Sequence, residues 1–374
     1  MEKRVDRLHR IAAAHPGVIS LGGGLPSDGL FPRGLLARAF VRAMREPRAS
    51  ALQYAWPEGR QELREWIAAR LRARGAAVAA DEVIVTSGAQ QAIAIAAQLT
   101  FARGEAIGVD PETYPAALDL FRTRGGRPRA GWDGDVRAFY AMPAIGNPHS
   151  RGMTDDARRS LLAREIPIIE DDAYAELRFD GNTPRPLLAD DRARVWHIGS
   201  FSKTLCPGLR VGWLVPPPAW RERAIELKHA SDLQASSLGQ TILALFLDGD
   251  DFDARLQRAR RIYRARAQRL LRAVRRHLPG WRCAAPEGGF ALFLECDEPG
   301  DDLALLEIAT RHGVSFDPGR IFRPDSAAAP LGLRLCFSNA GARALDEGPR
   351  RLARAWDAYR RDARTPSSRD MTAP

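Results

Sequence analysis

The sequence predicts an α/β protein, with a mostly parallel sheet flanked by helices in a large domain and a smaller α+β domain beside it. Three observations carry this reading. Short apolar runs ending in polar residues or glycine alternate with helical patterns between residues 80 and 215. A long amphipathic helix then separates that region from a second, strand-rich one. The chain has 374 residues, 45% of them hydrophobic, enough for two lobes and a sizeable core. Strand–helix alternation favours parallel pairing, because each helical crossover brings the next strand back in the same direction.

Taken in order, the opening residues contain VISLGGGLPSDGLFP, an extended piece rich in turn formers. From Gln61 to Arg74 the pattern is helical, with Leu63, Ile67 and Leu71 on one side. DEVIVTSG reads as a strand and QQAIAIAAQLTF as the helix after it. EAIGVD, IPIIED and RVWHIGS read as buried parallel strands. The long amphipathic helix covers residues 250–277. GGFALFLEC, GVSFDPG and GLRLCFS then read as strands, with a helix between the first two and a last helix near 341–360. The expected divisions are 1–45 for an N-terminal segment belonging with the small domain, 46–270 for the large domain, 271–362 for the small domain and 363–374 for a frayed tail.

Composition excludes several classes. No apolar run approaches the roughly 20 residues of a membrane helix. MEKRVDRLHRIAAAHPG lacks the apolar core of a secretory signal, so a cytoplasmic protein is expected. Cys206, Cys283, Cys296 and Cys336 show no C-x-x-C spacing, which argues against a disulfide framework and a zinc site. The seven histidines have no metal-ligand spacing either. The net charge of +10 raises nucleic-acid binding, but the arginines fall singly along helical patterns such as RLQRARRIYRARAQRLLRAVRR, as on a solvated helix face. No nucleic-acid or membrane partner is expected.

Lysine is scarce: only Lys3, Lys203 and Lys228 occur. Lys203 stands where a buried strand ends, in GSFSKTLCPGLRVGW, with Ser200 and Ser202 before it and Arg210 after it. An amine there suits a Schiff base with a carbonyl, and two hydroxyls with an arginine suit a phosphate dianion. Ser87-Gly88-Ala89-Gln90 opens a helix directly after a strand, where free N–H groups and the helix dipole favour a phosphate. Asp171, in EDDAY, closes another strand. A carboxylate at that edge can pair with a protonated ring nitrogen, and it can also serve as an ordinary helix cap. Arg334 lies in the apolar strand LRLCFS and needs an anionic partner, which a carboxylate substrate or a structural ion pair would supply. Asn147-Pro148 can be turn chemistry, and Tyr114 can be a core aromatic. Ser200-Phe201-Ser202-Lys203 also fits the S-x-x-K of penicillin-recognising enzymes. Its S-D-N and K-T-G companions are missing, since the chain has Ser231-Asp232-Leu233 and Lys203-Thr204-Leu205. There is no Walker loop, and Gly22-Gly23-Gly24 lacks the last glycine of a dinucleotide loop.

The ordered set LQYAWPEG, TSGAQQA, DPETYP, GNP, EDDAY, SFSK, PGLRVGW, PEGGF and LRLCFS resembles the fold-type I pyridoxal phosphate (PLP) aminotransferases of class I/II. Within that class it looks most like the 2-aminoadipate/kynurenine branch and the aminotransferase-like half of MocR-type regulators. The resemblance implies a seven-stranded, mostly parallel large-domain sheet, PLP as cofactor and a homodimer with shared active sites. It implies that Lys203 forms the Schiff base and moves the proton, and that Asp171 keeps the ring nitrogen protonated. It gives Tyr174 and Asn147 to the ring hydroxyl and Tyr114 to stacking on the ring. It assigns Ser87, Gly88, Ala89, Gln90, Ser200, Ser202 and Arg210 to the phosphate, with Tyr54 reaching it from the other subunit. It gives Arg334, with Asn147 and Gly23, to the substrate, Gly23 in a segment that closes over it.

The sequence departs from that pattern at Ala89, where a hydroxyl is common, at Ala55-Trp56, and at Asn147-Pro148-His149-Ser150 in place of N-P-T-G. Between Tyr114 and Asn147 it is shorter than the family by about a helix and some strand, leaving little room for a helical crossover. The implied reaction moves an amino group between an L-amino acid and a 2-oxo acid of the 2-aminoadipate, aromatic or branched-chain kind. The same cofactor residues would also serve a decarboxylase, racemase or lyase. A non-catalytic effector module would be expected beside a DNA-binding domain, and the resemblance starts near residue 18.

Overall fold

The computed structural model describes residue 10 and residues 15–249, 252–325 and 330–364. The chain enters as β1 (Ile19–Ser20), and the helix Arg33–Met44 follows. The large sheet is built from β2 (Ile84–Thr86), β3 (Ala106–Val109), β4 (Arg127–Ala130), β5 (Val136–Ala141), β6 (Ile168–Asp171), β7 (Val195–Ser200) and β8 (Gly212–Val215). Its order is β2-β8-β7-β6-β5-β3-β4. Every pairing from β7 to β4 is parallel, while β8 runs antiparallel to both β2 and β7. β6 and β7 are buried along their whole length, which suits Val/Ile-rich runs covered on both faces. The helices Ala89–Thr100, Pro115–Thr123 and Asp155–Leu162 supply crossovers.

The short stretch after Tyr114 leaves the sheet complete. β4 and β5 lie on either side of β3, joined by residues 131–135 with no helix. This works because β3 and β4 have four residues each. The link must cross two strand spacings, roughly 10 Å, and return about as far along the strands. Six peptide steps span about 20 Å, so a bare loop suffices. Gly108 allows the tight pass: a Cβ there would meet the Phe139 ring at 2.6 Å and the Gly131 carbonyl at 2.7 Å. Trp132 caps the link edge-on against Phe139, with ring centroids 5.3 Å apart.

The long helix runs from Phe252 to His277, burying Phe252, Leu256, Ala259, Tyr263, Ala267, Leu270 and Val274 along one stripe. Residues 250 and 251, read as its start, lie outside the described residues. β9 (Arg282–Cys283), β10 (Ala291–Cys296), β12 (Asp317–Pro318) and β13 (Leu331–Cys336) form a four-stranded antiparallel sheet in the order β12-β13-β10-β9. β11 (Val314–Ser315) pairs in parallel with β1, so the N-terminal segment is stitched to this lobe. The last helix spans Ala342–Arg364. It takes in the first two residues read as a tail, and 365–374 lie outside the described residues. Arg269 binds the Asp346 carboxylate through Nε and Nη2 at 2.8 and 2.5 Å, clipping the long helix to the last one. No helix is long and apolar enough to cross a membrane, among the described residues.

Candidate active site

Three strand ends of the large sheet and one strand of the small sheet converge on a single cluster. β6 ends in Glu170 and Asp171, both buried, and a buried carboxylate must be hydrogen-bonded to persist. Asp171 accepts from the Tyr140 hydroxyl at 2.7 Å and from the Ala173 N–H at 3.1 Å. Burial raises its pKa, and Tyr140, Ala173, Lys203 and His197 hold the rise back. Glu170 is set differently: burial works against its charge, but the His197 ring at 2.9 Å and the N–H groups of Leu187 and Leu188 outweigh it and keep it low. Behind them Asp172 pairs with Arg74 at 2.5 Å. Asp171 does not cap the short helical turn Ala175–Leu177, whose N-cap position is Tyr174 with no side-chain cap bond, and its charge is felt by Lys203.

The turn after β2 and the turn after β7 form a cradle of donors. Gly88 sits at φ +85°, which glycine adopts without strain, and opens the helix Ala89–Thr100. A Cβ on Gly88 would come within 2.5 Å of Arg210 Nη2. Ser200 caps its own turn by accepting from the Ser202 N–H at 3.1 Å. Arg210, left-handed at φ +53°, reaches back to the Ser202 hydroxyl at 3.5 Å and the Ser87 carbonyl at 3.3 Å. These are long contacts to neutral oxygens. The first N–H groups of a helix, two hydroxyls and a guanidinium fit a phosphate dianion in number and in charge. Two expected contributors turn elsewhere. The Gln90 side chain donates to the Ala116 carbonyl at 3.0 Å, leaving only its backbone N–H for the cradle. The Ser87 hydroxyl donates to Asp232, which also accepts from the buried Lys228.

Lys203 Nζ donates to the Gly24 carbonyl at 3.2 Å and lies 5.4 and 5.7 Å from the ring centroids of Tyr174 and Phe290. Burial lowers its pKa. Tyr114 opposes the drop and Arg334 adds to it. Tyr114 is pushed up by burial, with Lys203 and Arg334 acting against the rise and Asp171 and Tyr174 with it. Lys203, Tyr114, Asp171, Tyr174 and Arg334 therefore sit within electrostatic reach of one another. A buried amine of lowered basicity, a buried carboxylate and an anion cradle are what a phosphorylated pyridine aldehyde requires.

Arg334 answers the question its strand raised. Its Nε and Nη2 donate to Asp317 Oδ2 at 2.9 and 2.7 Å, and Nη1 donates to Asn147 Oδ1 at 2.7 Å. Asp317 stands directly across from it in the β12–β13 register. Asp317 also accepts from the Gly23 N–H at 3.1 Å on each oxygen. Tyr54 is not brought in: it is 77% exposed, beside Trp56 at 81% and Leu52 at 65%. Sequence reasoning missed Tyr140 and Asp317. A phenol in the middle of an apolar strand is a signal that a buried hydroxyl needs a partner, and FYAMP carries it.

A lysine-centred cradle at the carboxyl edge of such a sheet defines a vitamin B6-dependent enzyme. The family model for aminotransferase class I and II matches residues 17–131 and 147–352, and the chain belongs to that family. The break between the two matched stretches contains residues 132–135 of the helix-free link and β5. The 2-aminoadipate transaminase of Thermus thermophilus is 33% identical over 91% of this chain and 90% of that protein. The rhizopine catabolism regulatory protein MocR of Rhizobium meliloti, designated probable, is 29% identical over 96% of this chain and 76% of that protein. Among solved structures, the α-aminoadipate aminotransferase of T. thermophilus, complexed with N-(5'-phosphopyridoxyl)-L-leucine, is 30% identical with a TM-score of 0.86, covering 96% of this chain and 97% of that one. The Pyrococcus horikoshii kynurenine aminotransferase is 28% identical with a TM-score of 0.88, covering 95% and 94%. The chain is a PLP-dependent aminotransferase of fold type I.

Proposed function

We propose that this aminotransferase moves an amino group between an L-amino acid and a 2-oxo acid of the 2-aminoadipate, aromatic or branched-chain class. The observation that carries the reading is the buried Lys203 amine, set between Asp171, Tyr114 and Tyr174 and beside the Gly88–Arg210 cradle. In this reading Ser87, Gly88, Ala89, Gln90, Ser200, Ser202 and Arg210 form the phosphate site, Ala89 and Gln90 through backbone N–H groups, while Ser87 and Gly88 shape the turn, their own N–H groups being donated to the Gln91 side chain and the Thr86 carbonyl at 2.8 Å each. Asp171 holds a proton on the ring nitrogen, and Tyr140 orients Asp171. Tyr114 stacks on the ring, while Tyr174 and Asn147 serve its hydroxyl. When bound, the cofactor supplies an electron-poor ring that draws off charge from the substrate Cα. Lys203, its basicity lowered by burial, would take the proton from that carbon and return it two bonds away, a 1,3-shift across the substrate nitrogen. Arg334 takes the α-carboxylate through the Nη hydrogens that Asp317 and Asn147 leave, and Gly23 lies in the segment that shuts water out.

The homodimer follows from the same reading. Tyr54, Trp56, Leu52 and Leu233 are exposed apolar or aromatic side chains, and a second copy would bury them and bring Tyr54 to the phosphate. In this reading the reaction belongs to the cytoplasm. The test is a panel of L-amino acids scored by bleaching of the holoenzyme's visible absorbance. Bleaching by 2-aminoadipate, aromatic or branched-chain donors, restored by the matching 2-oxo acids, is expected. Bleaching confined to other amino acids would refute the substrate class.

A further inference from the structure

The guanidinium offered to the substrate carboxylate already has a counter-ion. Arg334 is buried, its Cζ lies 4.7 Å from the Phe322 ring centroid, and Asp317 neutralises its Nε–Nη2 edge. Asp317 is buried too, fixed by the β12–β13 register and by the Gly23 N–H, so it cannot swing away without releasing the N-terminal segment. Of the five guanidinium N–H groups, Asp317 takes two and Asn147 one, which leaves one hydrogen on each Nη. The N-terminal segment presses on the same guanidinium: a Cβ at Gly24 would lie 3.3 Å from Nη2.

Charge pairing decides how strictly such a site demands a carboxylate. A site with a bare buried arginine rejects a ligand without one, because the cation is left unpaired; sites of that kind discriminate by about 10⁴-fold. Here the pair is neutral before any substrate arrives. A carboxylate gains less from it, and a ligand without a carboxylate strands no charge.

We propose that the Arg334–Asp317 pair opens this site to primary amines that carry no α-carboxylate, alongside amino acids. The inference rests on the reading of Lys203 and Arg334 above. The overall exchange balances: R–CH₂–NH₂ and a 2-oxo acid give R–CHO and a 2-amino acid. The amine carbon gives up two electrons, the 2-oxo carbon gains them, the nitrogen and oxygen change places, and no outside oxidant is needed.

The experiment compares donors that differ only by the carboxylate, with 2-oxoglutarate as acceptor and the holoenzyme as catalyst. The pairs are L-phenylalanine with 2-phenylethylamine, L-leucine with 3-methylbutylamine, and L-2-aminoadipate with 5-aminopentanoate. In the wild type, kcat/KM for the best amino acid is expected to exceed that of its amine by less than about 100-fold; a ratio of about 10⁴ overturns the proposal, and no variant is needed for that result. Asp317→Asn is expected to raise the ratio at least about tenfold, by baring the arginine. It is also expected to tighten binding of unreactive 3-phenylpropanoate to the cofactor-free chain, read by calorimetry. An unchanged ratio and unchanged 3-phenylpropanoate binding in Asp317→Asn overturn the pairing argument. Arg334→Ala separates the two failures: a ratio that collapses there but ignores Asp317→Asn defeats the pairing alone, whereas one indifferent to Arg334 as well defeats the carboxylate reading beneath it.

Discussion

Arg210 and Arg334 stand on opposite walls of the same site, and they are held in different ways. Arg210, on the large sheet, makes long contacts with neutral oxygens from a left-handed backbone. Arg334, on the small sheet, is bound to a carboxylate in register across the strand pair. The first wall pairs its arginine only with neutral oxygens, and the second is a closed ion pair. Donors that converge with only long contacts to neutral oxygens hold a charged group tightly when it arrives, because they are already aimed. A satisfied pair can only share what it has left. The cofactor wall should therefore depend steeply on its charge, and the substrate wall only weakly.

The largest effect on that contrast is expected at Arg210. Arg210→Ala removes the charge from the phosphate cradle and should weaken PLP binding by about 10- to 100-fold, measured by spectrophotometric titration of the apoprotein. A loss under threefold would place the phosphate elsewhere. Tyr140→Phe is next. The Tyr140 hydroxyl restrains the burial-driven rise of Asp171, so its loss lets that carboxyl rise further. Cofactor should stay bound, while the acid limb of the pH–kcat/KM profile moves to higher pH. An unmoved limb would remove Tyr140 from the site.

Asp110, at the end of β3, sharpens the contrast through stability. Burial pushes its pKa from 3.8 up to about 6, with His149 opposing and Glu112 adding. Between pH 4 and 6 the folded chain keeps a proton that the unfolded chain has released, so stability falls as pH rises through that window and stays down above it. Asp110→Asn should flatten this decline and raise stability at pH 7 by about 1–3 kcal/mol in urea unfolding. An unchanged slope between pH 4 and 6 would contradict it. The smallest effect is expected at Ser150, a non-glycine residue at φ +56° in the turn after Asn147. Ser150→Gly should relieve the left-handed backbone and stabilise by about 0.5–1 kcal/mol, read as a raised Tm.

The cofactor wall was far more legible in the sequence than the substrate wall. Lys203, Asp171 and Gly88 sit where apolar runs stop, so their types and local spacing announce a sheet edge. Arg334 was legible as a charge needing an anion, but its partner was not: Asp317 lies 17 residues earlier, on a two-residue strand whose register only tertiary packing sets. Tyr140 is hidden in the same way, because its meeting with Asp171 depends on β5 lying beside β6. The link from β4 to β5 read correctly as too short for a helix. That the sheet stays whole follows from the four-residue length of β3 and β4, which no local pattern displayed. Tyr54 remains apart in a single chain, since its expected place depends on a second one.

The central claim is that the Lys203 amine carries the cofactor. Borohydride reduction of the PLP-loaded protein, followed by peptide mapping, tests it most directly. The account predicts one stable pyridoxyl adduct, on Lys203, absent from Lys203→Ala together with the visible absorbance. An adduct on Lys228 instead, or a protein that takes up no PLP, would contradict it.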